Sequence, residues 1–339
     1  MQTLNNHAEQ IIKTIDFTTK SMCYSPFSIM HVLLLLSYCA NDDAINELVS
    51  VLQIDRQSLL QLSKQLSSES SITIASNIFD KSINNINKDF LELVKKDFGI
   101  KPETLMSAAQ VNSWCALHTN NKITHLIDSA NFETILISAI HFKANWKTKF
   151  DVNATHEDIF NGFSTQFKKQ FMNTRQRILY AKSDTFQVCK LPYADSTLSA
   201  LIILPTQNTK ASLTSSFAPA LHLPLTSTDL ILSLPKFTAN STFSLNAPLQ
   251  SLKIKKIFHS INATETLGKT LKVDAVIQKT FINIDESGTE AAAVSAVFMR
   301  RTSSGAPQKV VEKMDCDRPF WFLILNEEGA VVFVTSVID

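Results

Sequence analysis

The feature that most constrains this chain is residues 285–307, which read Asp-Glu-Ser-Gly-Thr-Glu-Ala-Ala-Ala-Val-Ser-Ala-Val-Phe-Met-Arg-Arg-Thr-Ser-Ser-Gly-Ala-Pro. They join two strand-like runs, residues 275–284, which alternate as a half-buried strand does, and residues 310–325, rich in Val, Phe, Trp, Leu and Ile. Ordinary loops carry turn residues throughout. This one opens with Gly288 and continues with residues 289–298, all acceptable in a sheet. In an extended strand Thr289, Ala291, Ala293, Ser295, Val297 and Met299 share one uncharged face. Gly288 suits a pivot, because glycine adopts backbone angles that other residues avoid. Arg301 is the first residue on that face that a core would reject. The chain therefore carries a loop able to become a strand up to about Met299.

Glu286-Ser287-Gly288-Thr289-Glu290-Ala291-Ala292-Ala293 resembles the hinge of the serpins, whose reactive loop inserts into their own central sheet. Further stretches match that family in order: Ser25-Pro26-Phe27-Ser28-Ile29, Ala75-Ser76-Asn77-Ile78-Phe79, Val111-Asn112-Ser113-Trp114, Phe142-Lys143-Ala144-Asn145-Trp146, Leu191-Pro192-Tyr193, Ile203-Leu204-Pro205, Leu234-Pro235-Lys236-Phe237 and Arg318-Pro319-Phe320. The resemblance implies the α+β serpin fold, with three β-sheets, about eight or nine helices and an exposed reactive-centre loop at about residues 286–307. It covers almost the whole chain, so a single domain over residues 1–339 is expected.

Composition agrees with one large globular domain. Of 339 residues 45% are hydrophobic and 19% charged, and no linker-like stretch divides them. The 32 basic and 31 acidic residues create no field pointing to nucleic acid or a membrane. Cys23, Cys39, Cys115, Cys189 and Cys316 lie far apart without metal-ligand spacing, which reads as reduced thiols and no metal. Residues 1–13 are polar and resemble no secretory signal. A cytoplasmic monomer without a cofactor is expected. The sequons at Asn153, Asn240 and Asn262 read as chance.

In chain order, residues 4–19 suggest an opening helix, and Ser25-Pro26 starts a second, buried one at residues 27–38. Helices follow at 42–52 and 56–66, then a strand at 71–79. Serpins commonly have a further helix between these last two, often the basic one that binds glycosaminoglycans. Its near absence resembles the trimmed serpins of poxviruses, and implies the host-cell cytosol if the chain is viral. Helices at 88–98 and 106–119, strands at 134–142, 187–191, 198–204 and 230–237, a helix pair within 245–257 and a hairpin at 320–337 complete the pattern.

In the sheet-opening region the resemblance singles out Ser25, Ser28, Ser138, Trp146 and Gln278. Serpins usually have Asn and His where spacing places Ser138 and Gln278, and Gly where Thr335 stands. Both substitutes can hydrogen-bond. Simpler readings exist: Ser25 as a helix cap, Ser28 as a buried hydroxyl, His31 and His141 as hydrogen-bonded core histidines, and Trp114, Trp146 and Trp321 as core aromatics. Arg300-Arg301 could be a solvated pair on a loop tip. No nucleophile elbow, phosphate loop, dinucleotide fingerprint or zinc helix occurs.

The resemblance implies an inhibitor rather than an enzyme. A target serine protease forms an acyl-enzyme with the loop, which then inserts and traps the protease in a covalent complex. A shorter-loop count places the cut between Arg301 and Thr302, which suits a trypsin-like pocket. The commoner count places it between Thr302 and Ser303, for an elastase-like enzyme. A non-inhibitory serpin-fold binding protein is the other reading.

Overall fold

The computed structural model describes residues 2–40, 42–53, 56–83, 85–214, 216–289 and 311–339, which hold ten α-helices, two 3₁₀ turns and three sheets. This is the expected α+β architecture. The helix count exceeds eight or nine because single turns such as Ala218–Leu221 and Thr264–Leu267 are included. The described residues form two compact units.

The first unit comprises residues 1–15, 24–141 and 240–281. Its centre is the helix Pro26–Ser37, in which every residue is buried. Ser25 starts it, its side chain accepting a hydrogen bond from the Ser28 N–H, with Pro26 in the first turn where no backbone donor is needed. Gln2–Ile12, Asp43–Leu52, Arg56–Ser67 and the strand Ile72–Asp80 pack around it. Such a helix lacks a polar face because all its sides meet protein. Asp42, Asn87 and Ser107 cap the following helices with their side-chain oxygens. Only residues 68–71 separate Arg56–Ser67 from Ile72–Asp80.

Four strands of this unit lie side by side in the order Glu103–Thr104, Ile72–Asp80, Thr134–Phe142 and Val273–Asp285. The last two run parallel, Thr134 opposite Val273 and His141 opposite Phe281. Thr134–Phe142 is buried along its whole length, as an unbroken apolar run requires. Phe79, Trp114, Leu126, Ile135 and Ile137 form part of one core with the helix Ala108–His118.

The second unit comprises residues 16–23, 142–239 and 282–339. It contains most of a nine-stranded sheet in which the hairpin Phe320–Leu325 and Val331–Val337 pairs with Ser199–Pro205, followed by Phe186–Pro192, Gln166–Lys182, Thr226–Pro235 and Glu312–Asp315. The run at 310–325 is thus broken, its polar middle leaving one sheet edge at Asp315 and re-entering at Phe320. The 245–257 segment gives one short helix, Asn246–Ser251, and the 3₁₀ turn Lys256–Phe258. The five cysteines are buried and none is in a disulfide, and burial pushes the Cys39 and Cys115 thiols up to about 12. No helix among the described residues is long and apolar enough to cross a membrane.

Candidate functional site

In the second unit the chain reverses at residues 285–288. Asp285 organises the turn, its Oδ1 accepting hydrogen bonds from the Ser287 and Gly288 N–H groups at 2.8 and 3.2 Å. Gly288 and Thr289 then form a two-residue strand that is paired on both sides. It runs antiparallel to the end of Val273–Asp285, with Thr289 opposite Ile284, and antiparallel to Ala144–Asn145, with Thr289 opposite Ala144. Gly288 has φ +152°, and a Cβ there would lie 2.1 Å from the Ala144 carbonyl oxygen and 2.6 Å from the Asn145 Cα. Only glycine permits this approach of two backbones.

Trp146 fastens the turn from below. Its backbone N–H donates to the Ser287 carbonyl at 2.9 Å and its indole Nε1–H to the Asp285 carbonyl at 3.0 Å. Tyr193 stacks on the indole, ring centres 4.7 Å apart and planes 10° from parallel. The Tyr193 hydroxyl lies 3.0 Å from Thr289 Oγ1. Burial raises the Tyr193 phenol well above its ordinary value, the bond to Thr289 opposing only in part. Thr289 is itself completely buried.

Glu286 adds an electrostatic tether. Its Oε2 pairs with Lys236 Nζ at 2.9 Å, and its Oε1 accepts from Thr155 Oγ1 at 2.8 Å. Burial works against this carboxylate, but the hydrogen bonds from Lys236, its own backbone and Thr155, with the lysine charge, outweigh burial and hold its pKa below the usual range.

A second polar group lies in the first unit. Gln278 and Ser138 are register partners on the parallel strands, yet each reaches the start of the helix Pro26–Ser37. Gln278 Nε2 donates to the Ser25 carbonyl at 2.7 Å and to Ser28 Oγ at 2.5 Å, while its Oε1 accepts from the Ser25 N–H at 3.2 Å. Ser138 Oγ donates to the Ser28 carbonyl at 2.9 Å and lies 3.1 Å from Ser76 Oγ. Ser25, Ser28, Ser76, Ser138 and Gln278 are all buried, so these bonds replace water completely. Helix and strands are thereby pinned together where the parallel pair passes the helix start.

Of Ser25, Ser28, Ser138, Trp146 and Gln278, expected in one region, the structure brings Ser25, Ser28, Ser138 and Gln278 together. It places Trp146 with Glu286, Gly288 and Thr289 in the other group. Tyr193, Lys236, Thr155 and Ser76 were not singled out. Tyr193, Lys236 and Ser76 stand in motifs quoted above, but nothing in sequence shows that positions 193 and 289 meet. His31 departs from expectation: it sits between the Phe27 and Phe98 rings, and its Nδ1 meets no hydrogen-bond partner among the described residues. Thr335 is fully buried with its Oγ1 equally unpartnered there. Glu290, Ala291, Ala292, Ala293, Arg301, Thr302 and Ser303, hence the rest of the hinge and both bait bonds, lie outside the described residues. Among the described residues no group of three or more potential ligands could hold a metal.

The family model Serpin (serine protease inhibitor) matches residues 2–339. The chain is a serpin. It is 33% identical over 260 residues to Iripin-2 of Ixodes ricinus, an alignment covering 73% of this chain and 64% of that relative. Antitrypsin of Bombyx mori is 26% identical over 342 residues, covering 93% and 87% of the two chains. The solved structure of Serpin48 from Tenebrio molitor superposes with a TM-score of 0.87 at 24% identity, covering 100% of this serpin and 97% of that chain. Serpins are in general protease inhibitors and not catalysts.

Proposed function

We propose that this serpin is a suicide-substrate inhibitor of a trypsin-like serine protease, with Arg301 as the bait residue. The observation that carries the reading is the strand Gly288–Thr289, the start of the loop, already hydrogen-bonded between the end of Val273–Asp285 and Ala144–Asn145. On this reading the residues after Thr289 continue alongside Val273–Asp285 and take the place that Thr134–Phe142 now holds beside it.

The protease serine Oγ attacks the Arg301 carbonyl carbon, the Arg301–Thr302 peptide bond breaks, and the new Thr302 amine leaves with a proton. An ester joins Arg301 to the protease. Insertion of residues 290–299 then carries the protease away before water can cleave that ester. A guanidinium fork suits an acidic specificity pocket, whereas threonine anchors poorly. The relative named antitrypsin supports the same protease class. Cleavage at Thr302–Ser303 by an elastase-like enzyme is the alternative. The five buried thiols outside any disulfide support a cytosolic protein, and the short stretch at residues 68–71 supports a likeness to the trimmed poxvirus serpins.

Mixing the protein with trypsin and separating it on a denaturing gel tests the reading. A covalent complex, with a released fragment whose mass begins at Thr302, is expected. Cut serpin without complex supports the second reading, a non-inhibitory binding protein, which the unpartnered Thr335 hydroxyl and the direct binding of Ser138 and Gln278 to the helix start favour. A fragment beginning at Ser303 would replace Arg301 by Thr302.

A further inference from the structure

The long strand Gln166–Lys182 has a gap along one edge. Its other edge pairs with Thr226–Pro235 from residue 171 to residue 180. The gapped edge pairs with His156–Asn161 over residues 166–171 and with Phe186–Pro192 over residues 179–182. Among the described residues no strand covers the interval between. A cleft of about 450 Å³ opens there within the second unit, walled by residues 176–179, 146–148 and 190–192.

Its chemistry is amphipathic and one-signed. Leu179, exposed by 44%, together with Ile178, Leu191 and Pro192 supplies apolar surface. Lys147, Arg177 and Lys190 supply three cations, and among the described residues no carboxylate lines the cleft. Asp229, opposite Arg177 in the register, is taken by Arg175 at 2.9 Å. Arg177 holds Ser227 through Nε and Nη2. Among the described residues neither Lys147 nor Lys190 makes an ion pair. The size is that of a small-molecule site, and uncompensated cations beside apolar walls favour an anion with an apolar body.

We propose that this cleft binds a small amphipathic anion, an aromatic or short-chain carboxylate or sulfonate, and that its occupancy steadies the hinge. The coupling is direct. Trp146 belongs to the wall and carries the bonds to Asp285 and Ser287. The Lys147 N–H donates to the Pro192 carbonyl at 3.0 Å, closing the wall beside Tyr193, which holds Thr289. A ligand that packs this wall favours the state in which Gly288 and Thr289 are held. Binding itself does not depend on the inhibitory reading.

Calorimetric titration with 2-naphthalenesulfonate tests the site, alongside hydrogen exchange at the Gly288 and Thr289 amides. Saturable one-to-one binding is expected, at least tenfold weaker for uncharged 2-naphthalenemethanol and for the surface variant Lys147→Glu/Lys190→Glu, whose melting temperature should match the parent. Exchange at the two hinge amides should slow severalfold with the sulfonate bound. Absence of saturable binding, or binding indifferent to the charge reversal, overturns the site. Binding with unchanged hinge exchange overturns the coupling.

Discussion

A methyl group at Gly288 would lie 2.1 Å from the Ala144 carbonyl oxygen, on a backbone angle that L-residues rarely adopt. Neither partner is a flexible side chain that could swing away. Gly288→Ala should therefore cost about 3 kcal/mol, by expelling Gly288 and Thr289 from the sheet. A thermal melt and loss of amide protection at Thr289 would show it. His31 carries a different penalty: burial pushes its pKa down to about 4. The folded value lies below the unfolded one of about 6.5, so its contribution is fully present above about pH 6.5 and is lost as pH falls towards 4. Stability at pH 5 should be lower by about 2 kcal/mol from this residue alone. Denaturant midpoints at pH 7 and pH 5 would converge in His31→Leu. An equal pH slope in that variant would assign the acid sensitivity elsewhere. Thr335 wastes a buried hydroxyl, and Thr335→Val, which keeps the shape, should gain about 1 kcal/mol, or about 2 °C in melting temperature.

At the scale of elements, the pivot at Gly288 was legible because glycine's backbone freedom is a local property, and Gly288–Thr289 is indeed a strand; the rest of the expected strand lies outside the described residues. The buried helix Pro26–Ser37 was equally plain from its apolar run and its Ser25-Pro26 start. Gln166–Lys182 was missed, since most of its exposed side chains are Lys, Gln and Arg and its adjacent buried residues Phe171 and Met172 break the alternation, so no face announces itself. His156–Asn161 and Phe237–Ser244 escaped for related reasons: the first is mostly exposed, and the second has the small residues Ala239 and Ser241 on its buried face. The hinge latch was invisible, because it depends on Tyr193 and Lys236, which lie far away in sequence. Thr289 was expected to enter the sheet first; the structure finds it there already, hydroxyl to hydroxyl with Tyr193. Thr289→Arg would bury an unpaired charge at a cost of several kcal/mol. Cleavage by trypsin should continue and covalent complex should disappear from the gel. Complex formation equal to the parent would show that the strand does not lead insertion.

For the whole molecule, insertion is an exchange of ladders. Residues 273–281 and 134–141 now share one parallel ladder. Gly288–Thr289 is antiparallel to both neighbours, so continued insertion would replace that ladder by two antiparallel ones. The net gain is about ten hydrogen bonds, worth roughly 10 kcal/mol at about 1 kcal/mol each, opposed by the Gln278 and Ser138 bonds that hold the strands to the helix start. The decisive measurement is the thermal melt before and after a single cut within residues 294–302 by a metalloprotease, which forms no acyl-enzyme. Insertion predicts that the cut protein melts about 20 °C higher or more. An unchanged or lowered melting temperature would contradict it.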